Sequence, residues 1–234
     1  MGRPVRIGII VVSVNTILEP ELSRVAPEGV ELHFTRAGMR GGEAEYQRMV
    51  EGAPDAAELL ADAKVDVIVF ACTAASTYRG PGKDQEIVTR IEARTGIPAL
   101  STAGAVLKAF EALGMKRIGL GSPYDERTNQ LEELFFRGSG VEVLRMKGLN
   151  CPKGGKMALI PPEEVYRTAL SVNSSDCDGV FLSCTNWPTL KIIEALEKEI
   201  GKPVTSSNQA TLWAVLRMAG VTDLVPGFGR LLRQ

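Results

Sequence analysis

Histidine is almost absent from this chain: His33 is the only one among 234 residues. It lies in an alternating polar and apolar segment, residues 30–35, which is typical of a strand with one exposed face. A Ser-His-Asp triad or a Cys-His pair would have to use this single residue. The sequence also lacks a histidine cluster, a CxxC motif and an HExxH motif, so it predicts no metal site. Any chemistry must therefore rely on Cys, Tyr, Ser, Thr, Asn and backbone amides.

Charge of one sign and long apolar runs are lacking as well. The formal net charge is -1, with acidic and basic residues mixed along the chain, which excludes the basic face that a nucleic-acid partner requires. No apolar run approaches the roughly 18 residues of a membrane span, and the N-terminus leads into a strand without the apolar region of a signal peptide. Four cysteines do not resemble a disulfide framework. We therefore expect a cytoplasmic protein with free thiols and without a membrane partner.

The chain does contain two hydrophobic runs that each end in Cys-Thr. They are residues 65–73 (VDVIVFACT) and residues 177–185 (CDGVFLSCT). Short runs rich in Val, Ile and Phe, bounded by helical patterns, predict central parallel strands. Ligands of open α/β sheets bind beyond the carboxyl ends of such strands, where Cys72 and Cys184 stand. Two thiols placed in this way can flank one substrate, one attacking carbon or taking a proton and the other delivering a proton.

These two runs belong to a longer internal repeat. The segment 6–9 recurs as 117–120, and the segment 96–102 is matched by 201–207, in the same order along the chain. Strands and helices alternate throughout, which favours a parallel sheet with helices on both faces. The sequence therefore predicts an α/β fold of two similar, Rossmann-like parallel-sheet halves related by a pseudo-two-fold axis, with the active site in the cleft between them. We expect residues 1–114 and 207–234 to form the first half and residues 115–206 to form the second.

Two segments are predicted to be irregular. Residues 147–162 are rich in Gly, Pro and Lys, which indicates a long surface loop of the kind that often serves as a lid or binding loop. Residues 225–232 contain too much glycine for regular structure. Of the remaining cysteines, Cys151 falls in the long loop with no base beside it, and Cys177 lies at the N-terminal end of its strand and is predicted to be part of the core.

Neutral hydrogen-bonding groups surround the two predicted thiols and could hold a carboxylate. The helices predicted to follow the strands would favour an anion at their N-termini and would lower the pKa of a thiol there. For Asn15 and Tyr124, local turn capping is an equally good explanation. The candidate catalytic residues are Cys72 and Cys184, and the candidate substrate-binding residues are Ser13, Asn15, Thr73, Ala74, Tyr124, Thr185 and Asn186.

These motifs resemble the aspartate/glutamate racemase superfamily, and within it the branch of maleate cis-trans isomerases and arylmalonate decarboxylases. The resemblance covers nearly the whole chain and implies cofactor-independent chemistry on a small carboxylate. It also implies catalytic thiols at Cys72 and Cys184, carboxylate contacts at Asn15 and Tyr124, and a homodimer or higher homo-oligomer with C2 symmetry. The motifs that carry it are Ile7-Gly8-Ile9-Ile10-Val11 with Asn15-Thr16, Ala71-Cys72-Thr73, Pro123-Tyr124 with Asn129, Ser183-Cys184-Thr185-Asn186 and Pro226-Gly227-Phe228-Gly229-Arg230-Leu231.

Several functions are compatible with this resemblance. The main prediction is an isomerase of a small (di)carboxylate, similar to maleate isomerases. The alternatives are an arylmalonate-type decarboxylase, a two-base amino-acid or hydantoin racemase, and a binding protein that has lost catalysis. Arylmalonate decarboxylases carry glycine where Cys72 stands, so two thiols count against that activity. Maleate isomerases usually place a substrate-binding Asn in the loop before the equivalent of Pro161, where this chain has residues 153–157 (KGGKM), so the exact substrate stays open.

Overall fold

The computed structural model describes residues 3–39, 43–152 and 155–234, and its strands form two parallel sheets of four strands each. The first sheet contains β1 (Val5–Val12), β2 (Val30–Ala37), β3 (Val67–Ala71) and β4 (Ala99–Ser101), in the order β2-β1-β3-β4. The second contains β5 (Arg117–Ser122), β6 (Glu142–Gly148), β7 (Gly179–Leu182) and β8 (Val204–Ser206), in the order β6-β5-β7-β8. The predicted fold of two similar α/β halves is confirmed.

Helices connect these strands. They are α1 (Leu18–Val25), α2 (Glu43–Asp62), α3 (Thr73–Thr77), α4 (Asp84–Thr95), α5 (Thr102–Leu113), α6 (Glu126–Gly138), α7 (Pro162–Val172), α8 (Leu190–Ile200) and α9 (Ser207–Met218). Gly96 and Gly114 end α4 and α5 with a φ of 68°, a conformation that glycine adopts without a steric penalty. The sequence did not predict α1 and α3, which are too short to show a helical period. Within the described ranges, no helix is both long and apolar enough to cross a bilayer.

The internal repeat is reproduced in the contacts at the N-terminal ends of β3 and β7. The backbone N–H of Asp66 donates to the carbonyl of Arg6, and that of Asp178 donates to the carbonyl of Arg117, each at 2.7 Å. In return, each aspartate carboxylate accepts the N–H of the same arginine, in both cases at 2.8 Å. The aspartate shared by the two runs therefore fixes the start of each cysteine strand against the first strand of its own sheet.

Helices α5 and α9 pack against one another and connect the halves. The ring of Phe110, on α5, packs edge-on against Phe181 of β7, with 5.2 Å between the ring centroids. Its centroid lies 5.5 Å from that of Phe136, on α6. The helix that follows β4 thus contributes to the core of the second half, while α9 contacts β3 and α1 of the first. The division of the chain at residues 114 and 207 stays a prediction, and α5, which belongs to its first half, packs in the core of the second.

The two segments predicted to be irregular contain more structure than expected. Strand β6 continues to Gly148, and residues 155–159 form a 3-10 helix whose Met157 is buried. The prediction of a surface loop is therefore wrong for these residues, while residues 153 and 154 lie outside the described ranges. In the tail, Leu231–Arg233 form a 3-10 helix, and burial of Leu231 and Leu232 outweighs the disordering effect of the nearby glycines.

Candidate active site

A cavity lies where β1, β3, β5 and β7 end, and both Cys72 and Cys184 line it. It contains about 510 Å³ of empty space, its open mouth included. The two thiol residues are 6% and 4% exposed, so each faces the cavity from an otherwise buried position. The residues that line it are Val12, Val14, Met39, Tyr46, Cys72, Ala74, Tyr124, Asp125, Thr128, Cys151, Met157, Cys184, Thr185 and Asn186. The structure thus brings the two cysteines of the repeat to one site.

Cys72 occupies the junction between β3 and α3. Its backbone is extended, with φ -148° and ψ 110°, and its Sγ accepts the N–H of Ala75 at 3.5 Å. The hydroxyl of Ser76 donates to the Cys72 carbonyl at 2.6 Å, which fixes the same turn from the other side. The thiol therefore takes the position of a helix N-cap, with backbone donors directed at sulfur.

Cys184 is held in an unusual backbone conformation with a φ of 133°. A non-glycine residue in this region costs about 1–3 kcal/mol and persists only where its surroundings impose it. The imposing contacts are a hydrogen bond from its N–H to Ser207 Oγ at 3.0 Å and one from Asn186 N–H to its own Sγ at 3.3 Å. The Tyr124 hydroxyl also donates to Sγ. These contacts therefore offset the cost of the strained backbone at Cys184 and direct its sulfur into the cavity.

Burial makes both thiols weak acids. It raises the pKa of Cys72 and of Cys184 to about 12, although the hydrogen bonds that their sulfurs accept act in the opposite direction. The expectation that helix N-termini would lower these pKa values is therefore wrong, because the loss of solvation exceeds the effect of the nearby N–H groups. Both cysteines are neutral near pH 7, and a thiolate must be formed at a cost during the reaction.

Asn15 lies behind the cavity wall. Its Nδ2 donates to Thr185 Oγ1 at 3.1 Å, and its Oδ1 accepts the N–H groups of Ile17 and Leu18, each at 2.9 Å. The Oδ1 atom of Asn15 thus caps the local turn, as the alternative explanation predicts. Its Nδ2 orients Thr185, which does line the cavity. Asn15 itself is 1% exposed and is not among the described residues that line the site.

The other candidate residues divide into two groups. Ala74, Tyr124, Thr185 and Asn186 line the cavity. Ser13 and Thr73 are not among its described lining residues: Ser13 is exposed and accepts the N–H of Met39 at 2.9 Å, whereas Thr73 is fully buried and donates to Ser207 Oγ at 2.8 Å. Because Ser207 also accepts the Cys184 N–H, Thr73 supports the second thiol from a distance.

Sequence reasoning missed much of the cavity wall. Tyr46 comes from the apolar face of α2, and Met157 lies 3.9 Å from Cys184, measured between the two sulfur atoms. Cys151, predicted from the sequence to lie in a long surface loop, is half-buried and contributes a third thiol to the wall. Among the described lining residues none is Lys, Arg or His, so an anionic substrate would be held by hydroxyl, amide and backbone donors.

Comparison with known proteins agrees with this arrangement. The family model described as arylmalonate decarboxylase matches residues 7–232. The maleate isomerase of Geobacillus stearothermophilus is 30% identical, over 99% of this chain and 98% of its own length. The structure of a cysteine-to-alanine variant of the Pseudomonas putida S16 maleate isomerase Iso, with maleate, superposes with a TM-score of 0.93 at 30% identity and covers 98% of this chain and 97% of its own.

A second solved structure has the same similarity in shape. It is a cysteine-to-serine variant of the Nocardia farcinica maleate cis-trans isomerase with a covalently bound succinylcysteine intermediate, with a TM-score of 0.93, 28% identity and 98% coverage of both chains. An arylmalonate decarboxylase and, more distantly, a glutamate racemase also match, which confirms the superfamily predicted from the motifs. The chain therefore belongs to the arylmalonate decarboxylase family.

Proposed function

We propose that this protein is a cofactor-independent cis-trans isomerase that converts maleate, or a cis-dicarboxylate of similar size, into the trans isomer. The observation that carries the proposal is the pair of thiols, Cys72 and Cys184, on one cavity lined by neutral donors. Similarity to maleate isomerases over almost the whole chain supports it. The decarboxylase alternative is weaker, because arylmalonate decarboxylases carry glycine at the position of Cys72.

The mechanism uses Cys72 as nucleophile and Cys184 as acid and base. Cys72 first releases its proton to solvent. The resulting thiolate adds to one alkene carbon, and the displaced π electrons move to the other carbon and its carboxylate. That carbon takes the proton of Cys184, which gives a succinyl thioether and a Cys184 thiolate. After rotation about the new single bond, Cys184 removes the proton again, the C–S bond breaks, and the trans dicarboxylate leaves with both cysteines restored.

Hydrogen-bond donors at the cavity wall would stabilise the enolate-like charge in this mechanism. Tyr124 and Thr185 line the wall, and their hydroxyls, which donate to Cys184 Sγ and to the Ala71 carbonyl, would turn to the substrate when it binds. Backbone N–H groups at the start of α3 lie beside Cys72. Neutral donors suit this task, since they bind a carboxylate without pairing it with a fixed cation. The site therefore stabilises charge that develops on the substrate without a fixed cation among its described lining residues.

One NMR experiment tests the proposal against its alternatives. The protein is incubated in D2O with maleate, with phenylmalonate, and with a panel of amino acids and hydantoins. Conversion of maleate to fumarate supports the isomerase. Loss of CO2 from phenylmalonate without isomerisation identifies a decarboxylase, exchange of an α-proton identifies a racemase, and no change in any substrate supports a protein without catalytic activity.

Replacing Tyr124 by phenylalanine is expected to lower kcat/KM for maleate by about 10²–10³-fold, the usual cost of losing one donor to developing negative charge. Initial rates of fumarate formation measure the effect. Tyr166→Phe is the matched control, because the Tyr166 hydroxyl bonds to Glu199 at the protein surface. Equal activity of the Tyr124 and Tyr166 variants would show that the Tyr124 hydroxyl does not take part.

We also propose that the protein is a homodimer or a multiple of one and that it works in the cytoplasm. Family resemblance supports the first statement, and C2 symmetry is the commonest arrangement of homo-oligomers. For the second, all four cysteines are free thiols, which suits a reducing compartment. Light scattering at micromolar concentration tests the assembly, and a monomer contradicts it.

A further inference from the structure

A buried carboxyl group lies behind Cys184 and has no part in the mechanism above. Glu132, on α6, is 0% exposed. Its Oε1 accepts the Ser183 hydroxyl at 2.8 Å, and its Oε2 is buried without a hydrogen-bond partner. Ser183 directly precedes Cys184, and its N–H donates to the Gly121 carbonyl at 2.8 Å. An unpartnered buried oxygen is costly to maintain, so a function is the better explanation than packing alone.

Glu132 is close enough to the site for its charge to act on two thiols and two tyrosines there. A negative charge on it raises the pKa of Cys72 at the end of β3 and of Cys184 after β7. It acts in the same direction on Tyr124, which follows β5, and on Tyr46, on α2. An ionised Glu132 would therefore oppose formation of either thiolate, and it would repel a dicarboxylate from the same position.

We propose that Glu132 is a positioning residue that acts as a neutral carboxylic acid, holding Ser183 and the strained turn at Cys184, and that its ionisation at alkaline pH inactivates the site. The inference rests on the proposed function only in assuming that thiols act on an anionic substrate. Burial supports the neutral form, since it raises the pKa of Glu132 to about 8, against the opposing effect of the Ser183 hydrogen bond.

The raised pKa of the Glu132 carboxyl group makes the stability of the folded chain depend on pH. The pKa of Glu132 in the folded chain lies above its ordinary value of 4.5. Between these two values the native state keeps a proton that the unfolded chain has released. The contribution of Glu132 to stability is therefore fully present below about pH 4.5 and is lost as the pH rises through about 8.

Glu132→Gln tests the proposal, because glutamine keeps an acceptor oxygen for Ser183 and cannot ionise. At pH 7 we expect kcat/KM within about threefold of the wild type. At pH 9 the variant should exceed the wild type by about tenfold, since only the wild type then carries the buried charge. Its melting temperature should rise relative to the wild type between pH 5 and 8.5. Glu133→Gln is the matched control, because Glu133 is the next residue on α6 and pairs with Arg137 at the surface.

Two readouts separate this inference from the isomerase proposal. Alkylation of Cys72 and Cys184 by iodoacetamide, a neutral reagent, needs no substrate and should be faster in the Glu132 variant above pH 8. In wild-type protein with carbon-13-labelled glutamate, one side-chain carboxyl should titrate near pH 8, which needs no variant. The inference is overturned if Glu132→Gln and the wild type show the same dependence of activity, alkylation rate and melting temperature on pH. Loss of activity in Glu132→Gln at every pH would also overturn it. Both outcomes can be read whether or not maleate proves to be the substrate.

Discussion

Cys72→Ser is expected to abolish isomerisation of maleate, lowering kcat/KM by at least about 10³-fold, as loss of a covalent nucleophile does in other enzymes. The hydroxyl of serine is a far weaker acid than a thiol, and it stands in a buried site that already raises the pKa of the thiol to about 12. It would therefore supply no nucleophile at neutral pH. Fumarate formation followed by absorbance or proton NMR measures the loss.

Cys177→Ser provides the control for this experiment. Cys177 is buried like Cys72, but it lies at the N-terminal end of β7 and contacts Ser174 Oγ at 3.2 Å, away from the cavity. Its replacement should leave kcat/KM within a fewfold of the wild type. Full activity of Cys72→Ser on any substrate would refute covalent attack by Cys72, and a one-thiol decarboxylase that uses Cys184 would then be the better description.

Cys184→Ser should also lose turnover, again by at least about 10³-fold, but it should leave a product on the protein. In this variant water, in place of Cys184, supplies the proton that completes addition to Cys72, but without the thiol that removes this proton again elimination does not follow. A succinyl thioether therefore accumulates, as in the Nocardia farcinica variant with its covalently bound succinylcysteine intermediate. Mass spectrometry of the intact protein after incubation with maleate should show the mass of one added maleic acid, and peptide mapping should place it on Cys72.

The double variant with both cysteines replaced by serine separates this adduct from adventitious alkylation. It should gain no mass under the same conditions, because Cys151, which also lines the cavity, has no backbone donors directed at its sulfur among the described contacts. An adduct mapped to Cys151 or Cys177, or unimpaired turnover in Cys184→Ser, would contradict the proposed roles of Cys72 as nucleophile and Cys184 as acid and base.

The fold and the position of the thiols could be predicted because they depend on short-range patterns. Asp66 and Asp178, the second residue of each cysteine run, have a local role, since each binds the N–H of an arginine one strand away. Parallel strands then place Cys72 and Cys184 at the carboxyl edges of their two sheets, where α/β sheets bind ligands and where both cysteines line one cavity. Residue type and spacing are sufficient for this step.

The chemistry of the cavity wall could not be predicted in the same way. Met157 and Tyr46 reach it from a 3-10 helix and from α2, and their sequence patterns indicate a loop and an ordinary core face. The direction of the thiol pKa shifts depends on complete burial, which a helix N-terminus in the sequence does not report. Glu132 was missed for a related reason: in the sequence it is one of several acidic residues on an amphipathic helix, and only the packing shows that it is buried.

Helices α5 and α9 each pack against the sheet that they do not follow, so the site forms only when both sheets are folded. Phe110 of α5, which follows β4 of the first sheet, fills the aromatic core around Phe136 and Phe181. Helix α9, which follows β8 of the second sheet, contacts β3 and α1. Cutting the chain after residue 114 would strip one half of its covering helix and expose the apolar surface of the other. Neither fragment would retain the site, since the hydrogen bonds from Thr73 to Ser207 and from Asn15 to Thr185 join residues on opposite sides of the cut. Loss of the cleft and global unfolding should therefore occur in a single transition, with no folded species that holds one thiol in place.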